Sequence, residues 1–582
     1  MIQLEHKLQA GEQLCFVHIP KTAGTTLISL LDAHFPVDRI CPAQLWRELV
    51  WLPPDQVSAC QLLRGHYTYD DYLKLASNPV FISMFRNPID RACSYYNFMR
   101  NQPNDWLERH YSYRTALAES HLHVANLVEG DIEIYQRANR DDLAAFFASS
   151  FVQAWIQNWQ VKAIARSTFD QSPWAQEAVL ATAKDRLATL VWFGCVERFA
   201  DSMALLSYTF GWNPIRQYQR LMVAPNPNYT KGLSAKTVEI LQEIHQLDLA
   251  FYDYAAAEFE QRYEAMQQDL QERYGGTDLY AQLEQHYRDR TQALNRPRQT
   301  VIDLKFDQAI AGTGWQLREG SIEEQTLFRW TGPETETTLD LPLAAGQDFT
   351  LKLRIVGAIS EEVLDSVQLR VGDRSIPLTQ LCREIRPGIY LVLFEGQIPA
   401  DAIQPDAPFT RLMFSVKETR SLHSLDASNP DRRSVGVALD WISLFPKAEL
   451  GDPGYRCMLF PGEDAAWFEV AQWLRSHIRP TEKAIAPLDF AEVLPNQILP
   501  YRLISETTTE IGAEWIVIHK GMLESLPLAL LDKVNTSWNP VYANPVFVVF
   551  TIQLDLPAIA FKTPDLKAFR EEYKKVLRKS SS

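Results

Sequence analysis

Near its start the chain passes from a short apolar run through a compact loop into a segment with helical spacing. Residues 14–19 read LCFVHI, residues 20–24 read PKTAG, and TTLISLLDAHF follows. An apolar run bounded by Pro and Gly predicts a buried strand, and the spacing behind it predicts a helix. A buried strand that feeds a helix is typical of a parallel sheet covered by helices, so this opening favours an α/β fold for the N-terminal part of the chain.

Two further runs repeat this order. PVFISMF (79–85) predicts a second buried strand, and Pro88 suits the first position of the helix that follows, IDRACSYYNFMRN. TLVWFGCV (189–196) predicts a third, followed by the helical ERFADSMALLSYTF. Residues 105–185 are largely helical in pattern, and 232–263 continue as helix. We therefore predict an N-terminal α/β domain with a P-loop-like parallel sheet.

The pattern of apolar and polar residues changes twice further along the chain. The polar stretch 267–299 predicts an exposed helix or a linker, so we place a boundary near 295 and a first domain at 1–295. Short β-type runs separated by turn residues predict an antiparallel β-sandwich at 300–446. Residues 447–582 mix helical patterns with apolar strands and predict a small α/β or α+β domain. Its end, LKAFREEYKKVLRKSSS, predicts a charged, solvated helix that frays.

Composition excludes some functions. The formal net charge of -15 argues against nucleic acid as a partner, because proteins that bind it usually carry excess Lys and Arg. The sequence contains no run of about 18 apolar residues, so it predicts no membrane span. The polar N-terminus has no apolar signal core, so we expect a cytoplasmic protein. The cysteines lack the spacing of a metal or disulfide framework, and we expect free buried thiols at Cys15, Cys41, Cys60, Cys93, Cys195, Cys382 and Cys457.

The loop between the first strand and helix has the chemistry of an anion cradle. A helix N-terminus offers unpaired N–H groups and partial positive charge, and Lys21 adds a full charge. The hydroxyls of Thr25 and Thr26 can cap the helix or donate to a phosphate. In a nucleotide-triphosphate P-loop the Lys follows the glycines and precedes a Ser or Thr. Here Lys21 precedes Gly24, so the order differs from that of kinases.

His18-Ile19-Pro20-Lys21-Thr22-Ala23-Gly24-Thr25-Thr26 closely resembles the 5′-phosphosulfate-binding loop of the sulfotransferases that use 3′-phosphoadenylyl sulfate (PAPS). The nearest likeness is to the carbohydrate branch, which includes the heparan sulfate O-sulfotransferases and related bacterial enzymes. Arg86-Asn87-Pro88, with Ser94 further along, resembles the family segment that binds the 3′-phosphate of the cofactor. Arg86 ends a predicted strand, where ligands of α/β sheets bind. Arg91 fits either a phosphate contact or a structural ion pair.

Other segments extend the resemblance to about residues 12–260. Arg64-Gly65-His66-Tyr67 matches the place where the family commonly carries its general base, which implies this role for His66. Asn158-Trp159-Gln160 is similar to the family's N-x-Q segment, and FGCVERF (193–199) to its late strand-helix element. Tyr229-Thr230-Lys231 falls in a late loop that could close over the cofactor.

The resemblance implies transfer of a sulfuryl group from PAPS to a carbohydrate hydroxyl, with 3′,5′-ADP as the product. His66 would deprotonate the acceptor, Lys21 would neutralise the leaving group, and the N–H groups of residues 22–26 would hold the phosphosulfate. Arg86, Ser94 and Lys231 would bind the rest of the cofactor, and no metal is required. Glu197, or an acid within 104–160, is the alternative base. We expect a glycan precursor or glycolipid as acceptor. An oligomer formed through the accessory domains is compatible with the sequence.

Two other functions compete with this one. The first is a P-loop kinase of a small molecule, which would need Mg²⁺ and a GK[ST] order absent from 11–30. The second is an inactive glycan-binding scaffold, against which the retained Lys21, His66, Arg86 and Ser94 argue. In the predicted sandwich, Trp315, Trp330 and Trp441 either stack on sugars or fill the core, and core filling is favoured. His519-Lys520 follows a predicted strand, where a structural role is favoured.

Overall fold

The structure is a computed structural model of the 582-residue chain. It describes residues 4–100, 143–167, 175–219, 221, 232–321, 326–386, 389–452, 454–461, 465–504 and 512–580. The predicted loop Tyr229-Thr230-Lys231 and much of the predicted helical stretch 105–185 lie outside these residues. No helix within the described ranges is long and apolar enough to cross a membrane.

The N-terminal region is built on a four-stranded parallel sheet. Three of its strands were predicted from the apolar runs, and the fourth, at residues 62–65, was not. Its strands are β1 (Gln13–Val17), β2 (Leu62–Gly65), β3 (Pro79–Phe85) and β4 (Trp192–Cys195), in the spatial order β2-β1-β3-β4. Their residues are almost all buried, because helices cover both faces and leave no polar side to alternate with. The four carboxyl ends therefore lie along one edge of the sheet.

Helices surround this sheet. Pro88 begins its helix, as predicted. The helices are α1 (Gly24–Leu31), α2 (Trp46–Leu49), α3 (Pro54–Ala59), α4 (Tyr69–Leu75), α5 (Pro88–Arg100), α6 (Leu143–Ala148), α7 (Ser150–Ile156), α8 (Trp159–Ala165), α9 (Gln176–Thr189), α10 (Phe199–Phe210), α11 (Ala235–Ile244), α12 (Gln246–Tyr274) and α13 (Leu279–Ala293).

The polar stretch 267–299 differs from the exposed helix or linker that we predicted. It continues α12 and forms α13, and both helices bury side chains, among them Leu270, Leu283 and Tyr287. The apolar residues are few but share one face of each helix, so a count of polar residues hides the buried stripe.

Residues 302–446 form a large antiparallel β region. One sheet has the order β11-β10-β14-β8 and the other the order β12-β13-β9-β17-β7-β6, with β5 paired to β17. Apolar side chains from both sheets form one continuous core. The elements are β5 (Ile302–Lys305), β6 (Trp315–Glu319), β7 (Phe328–Thr331), β8 (Glu336–Leu341), β9 (Phe349–Ala358), α14 (Glu361–Asp365), β10 (Gln368–Val371), β11 (Arg374–Ile376), β12 (Leu378–Arg386), β13 (Ile389–Ile398), β14 (Thr410–Ser415), β15 (Arg420–Ser421), α15 (Leu422–Leu425), β16 (Ser434–Val435) and β17 (Val437–Pro446).

The last part of the chain has a mixed five-stranded sheet of order β19-β18-β20-β22-β21, in agreement with the predicted mixture of helices and strands. The terminal helix does not lie free in solvent as predicted, since it buries Leu566, Phe569 and Tyr573 against the sheet. The elements are α16 (Ala465–His477), β18 (Ala484–Ala486), β19 (Ile498–Pro500), β20 (Trp515–His519), α17 (Leu528–Ser537), β21 (Asn539–Ala543), β22 (Phe547–Thr551) and α18 (Pro564–Ser580). The domain boundaries near 295 and 446 stay predictions.

The β region is hydrogen-bonded to the segment that follows α1. Arg318 donates to the carbonyl oxygen of Phe35 at 3.1 Å, and the N–H of Ile310 donates to the carbonyl of Ala33 at 2.8 Å. Asp32, in the same turn, pairs with Arg64 of β2, whose Nη2 lies 2.9 Å from Oδ2. The β region thus supports the helix behind the predicted anion loop, and the Arg64 side chain has a structural partner.

Candidate active site

The predicted site residues follow the carboxyl ends of neighbouring strands. His18 follows β1, His66 follows β2 and Arg86 follows β3. Val17 pairs in register with Gly65 of β2 and Ser83 of β3, so the chain leaves these strands at nearly the same level. This is the edge at which α/β sheets bind ligands.

The loop between β1 and α1 takes an uncommon backbone path. Lys21 and Ala23 have φ values of 70° and 58°, in the left-handed region that residues with a Cβ seldom adopt. Ala23 occupies the N-cap position of α1 and has no side-chain oxygen, so no side chain caps the first-turn N–H groups. These donors and the positive end of the helix are therefore suited to an anion.

The threonines of the loop have unequal roles. The buried Thr22 donates from Oγ1 to the carbonyl of Ile19 at 2.8 Å, and Thr26 accepts a hydrogen bond from the N–H of Leu221 at 3.0 Å. Thr25 is exposed. The hydroxyls of Thr22 and Thr26 therefore stabilise the loop itself. Their main-chain N–H groups belong to the set that we predict to bind the anion.

Lys21 and Arg86 come together at this edge. Arg86 donates from Nη1 to the carbonyl oxygen of Lys21 at 3.2 Å, while its buried Nε has no hydrogen-bond partner among the described residues. The Lys21 ammonium lies 4.5 Å from the centre of the Phe98 ring. Burial, with a further effect of the Arg86 charge, lowers the pKa of Lys21 to about 8. Two cationic side chains thus share one half-buried place.

The main chain of Arg86 is held by a buried glutamine. Gln160 accepts from the Arg86 N–H at 2.9 Å and donates to the Arg86 carbonyl at 2.8 Å. Asp248, fully buried on α12, accepts from the N–H groups of Gln160 and Val161. The N-x-Q pattern pointed to Gln160, whereas nothing in the sequence near Asp248 indicated its part.

His66 is oriented by two main-chain groups. Its N–H donates to the carbonyl of Gln44 at 2.8 Å, and its Nδ1 lies 3.0 Å from the carbonyl oxygen of His18. A carbonyl only accepts, so Nδ1 carries the proton and the neutral ring presents a bare Nε2. Burial lowers the pKa of His66 from its ordinary value of 6.5, against the opposing effect of the His18 carbonyl. The ring is therefore neutral at pH 7 and able to accept a proton.

Three other predicted residues stand apart from this group. Ser94 lies about two turns into α5, half-buried, and makes no hydrogen bond with Lys21 or Arg86 within the described chain. Arg91 is fully buried and donates to the Ile156 carbonyl at 2.5 Å, and its Nη2 lies 4.0 Å from Oδ2 of Asp248. Of the two roles predicted for Arg91, these contacts favour the structural ion pair. Lys231 lies outside the described residues.

Glu197, the alternative base, is engaged at both oxygens. Oε1 accepts from the Asn87 N–H at 2.8 Å, and Oε2 accepts from the Tyr252 hydroxyl at 2.6 Å. These bonds stabilise the turn that holds Arg86 and leave Glu197 less suited than His66 to accept a proton.

The remaining candidates have structural contacts. Trp315 donates from Nε1 to the Thr338 carbonyl at 2.9 Å, and Trp441 packs against the guanidinium of Arg354. Lys520 donates to the carbonyl of Asn544 at 2.6 Å inside the last region. All seven cysteines are free and buried, as predicted.

Comparison with known proteins supports a resemblance to sulfotransferases. The heparan-sulfate 6-O-sulfotransferase 2 of Gallus gallus is 25% identical over 285 residues, which cover 46% of this chain and 63% of that protein. The chain thus spans less than two thirds of the relative's length. No family model matches. Among solved structures, a family GH115 4-O-methyl-α-glucuronidase with specificity for decorated arabinogalactans covers 55% of this chain and 42% of its own, at 9% identity and a TM-score of 0.15, too low to carry an argument.

Proposed function

We propose that this protein transfers a sulfuryl group from PAPS to a hydroxyl of a carbohydrate and leaves 3′,5′-ADP. One observation carries the proposal: Arg86 contacts the main chain of Lys21 at the end of the strand next to β1, with His66 at the end of β2. Two cations and a neutral base at one sheet edge suit a nucleotide with phosphates at both ends. The distant likeness to a heparan-sulfate sulfotransferase supports a glycan as acceptor.

The residues present fit such a donor. The first-turn N–H groups of α1 and the Lys21 ammonium would hold the phosphosulfate, while Arg86 and Ser94 would hold the 3′-phosphate. The unpartnered, buried Nε of Arg86 and the uncapped end of α1 are donors that an anion would satisfy. Bound PAPS would supply the sulfuryl group and a phosphate as its leaving group.

The protein's own groups then have separate tasks. His66 takes the acceptor proton at Nε2, and its Nδ1–H stays bonded to the His18 carbonyl, which steadies the imidazolium that forms. Lys21, when protonated, stabilises the negative charge that grows where the nucleotide departs. Both groups are fixed before the reaction, so little reorganisation is needed.

A transfer assay with ³⁵S-labelled PAPS and a panel of glycans tests the proposal, with Lys21→Ala as the inactive control. We expect label on at least one glycan, also in excess EDTA. Thermal unfolding gives a second test, in which 3′,5′-ADP should stabilise the protein more than ATP with Mg²⁺. Selective stabilisation by ATP with Mg²⁺ would favour the kinase, and binding of glycans without label transfer would favour the inactive scaffold.

A further inference from the structure

The carbonyl of His18 holds His66, but the His18 side chain has no task in the proposed chemistry, although that side chain lies at the centre of the site. Its ring stacks on that of His66, with centroids 4.1 Å apart and an interplanar angle of 27°, and also on Phe16 at 5.2 Å. The residue is 8% exposed, and its Nδ1 has no hydrogen-bond partner among the described residues. A buried polar atom without a partner is costly, so the ring is kept at this place for a reason other than its own bonding.

Gly24 of the anion loop touches the same ring. A Cβ placed on Gly24 would lie 1.9 Å from Nε2 of His18, far closer than two non-bonded heavy atoms can approach. Gly24 is not among the glycines with positive φ, so its backbone conformation does not demand glycine. The ring of His18 demands it, because Phe16 and His66 leave the ring little room to move aside.

We propose that His18 is a positioning residue, whose ring holds the imidazole of His66 in register with the anion loop and makes glycine necessary at position 24. The inference rests on the proposed function, in which His66 is the base. The ring is uncharged in this role, since burial and the nearby charges of Arg64 and Lys21 hold the pKa of His18 well below the ordinary value. A shift of the loop at Gly24 is then passed to His66 through the ring of His18.

A double-mutant cycle tests the contact. Gly24→Ala should lower the unfolding temperature and reduce turnover by about 100-fold, as a displaced base does. His18→Ala removes the obstructing ring, so the double variant should be less impaired than the product of the two single effects by about fivefold or more. Gly512→Ala, where a Cβ meets open space, is the matched control. If the turnover of the double variant equals the product of the two single effects, the inferred contact between His18 and position 24 is wrong.

A second measurement separates positioning from stability. His18→Ala should lower kcat by about 10-fold or more with KM for PAPS unchanged. The same variant should also move the acidic limb of the pH–rate profile to higher pH, because His66 regains contact with water and its pKa rises. If this variant does not fold, His18→Leu fills the space without a flat ring. An unchanged kcat and pH limb would overturn the positioning role.

The two ideas fail in different ways. A wild-type protein without sulfuryl transfer defeats the proposed function, while the cycle in unfolding temperature still decides whether His18 excludes a side chain at position 24. An active wild type with no coupling defeats this inference alone.

Discussion

Arg86 donates a hydrogen bond from Nη1 to the carbonyl oxygen of Lys21, 65 positions earlier in the chain. The bond exists because β1 and β3 are adjacent and parallel, so that the loops behind them leave the sheet side by side. Two motifs that the sequence keeps apart therefore form one cationic place, and the following predictions depend on it.

Arg86→Lys should weaken binding of 3′,5′-ADP. The variant keeps the charge but loses the forked guanidinium, and a charge-assisted hydrogen bond contributes about 1.5–3 kcal/mol, or roughly 10–100-fold in Kd. Isothermal titration calorimetry measures the change, with Arg288→Lys on α13 as a control remote from the site. An unchanged Kd would contradict a direct role of the guanidinium.

Binding of 3′,5′-ADP should take up protons at alkaline pH. Lys21 has a pKa of about 8 in the free protein, and a bound anion favours the charged ammonium and raises that pKa. At a pH between the Lys21 pKa of the free protein and the higher pKa of the complex, the free lysine is largely neutral and the bound lysine is protonated. In the free enzyme kcat/KM should correspondingly fall as pH rises through about 8. Calorimetry at alkaline pH in two buffers of different ionisation enthalpy measures the uptake, which Lys21→Met should abolish. Proton release on binding would refute this linkage.

His66→Gln should reduce kcat by about 10²–10⁴-fold, the usual contribution of a positioned base, and leave 3′,5′-ADP affinity unchanged. In the wild type, activity should decline as pH falls through the His66 pKa, which burial places below 6.5, because protonation blocks Nε2. The variant should lose this limb. His477→Gln in α16 serves as the control, and a variant with normal turnover would show that another group is the base.

Gln160→Leu should lower both stability and nucleotide affinity. The change removes the Gln160 partners from the part-buried N–H and carbonyl of Arg86, at up to about 1–3 kcal/mol each. Thermal unfolding with and without 3′,5′-ADP measures both effects. The matched control is Gln157→Leu at an exposed position nearby, and equal behaviour of the two variants would disprove the role of Gln160.

Glu492→Gln should loosen the last region from the β region. Glu492 is fully buried and pairs with Lys352 of β9, which is 1% exposed. Without the Glu492 charge, the buried Lys352 ammonium keeps only the more distant carboxylate of Glu395, at 3.7 Å, among the described residues. We therefore expect a loss towards the lower end of the about 3–5 kcal/mol that a broken buried pair costs. We expect a lower unfolding temperature and faster limited proteolysis after the β region, neither of which should occur in the exposed control Glu449→Gln. Unchanged proteolysis would show that this ion pair is not what holds the two parts together.

The local elements of the fold were largely predictable. The apolar runs of β1, β3 and β4, the helix start at Pro88 and the β-type runs of 302–446 all depend on short-range patterns that neighbouring residues carry. The packing of α13 and α18 was not predictable, because their few apolar residues become significant only against a partner surface.

By itself the sequence determined the strand–loop–helix opening and the candidate residues Lys21, His66 and Arg86, since backbone propensity and side-chain chemistry are written locally. Only the tertiary structure decided that Arg86 reaches Lys21, that Gln160 holds Arg86, and that His18 lies between His66 and Gly24. These relationships join residues that lie far apart in the chain. They arise when parallel strands align their carboxyl ends, which is a property of the assembled sheet rather than of any one segment.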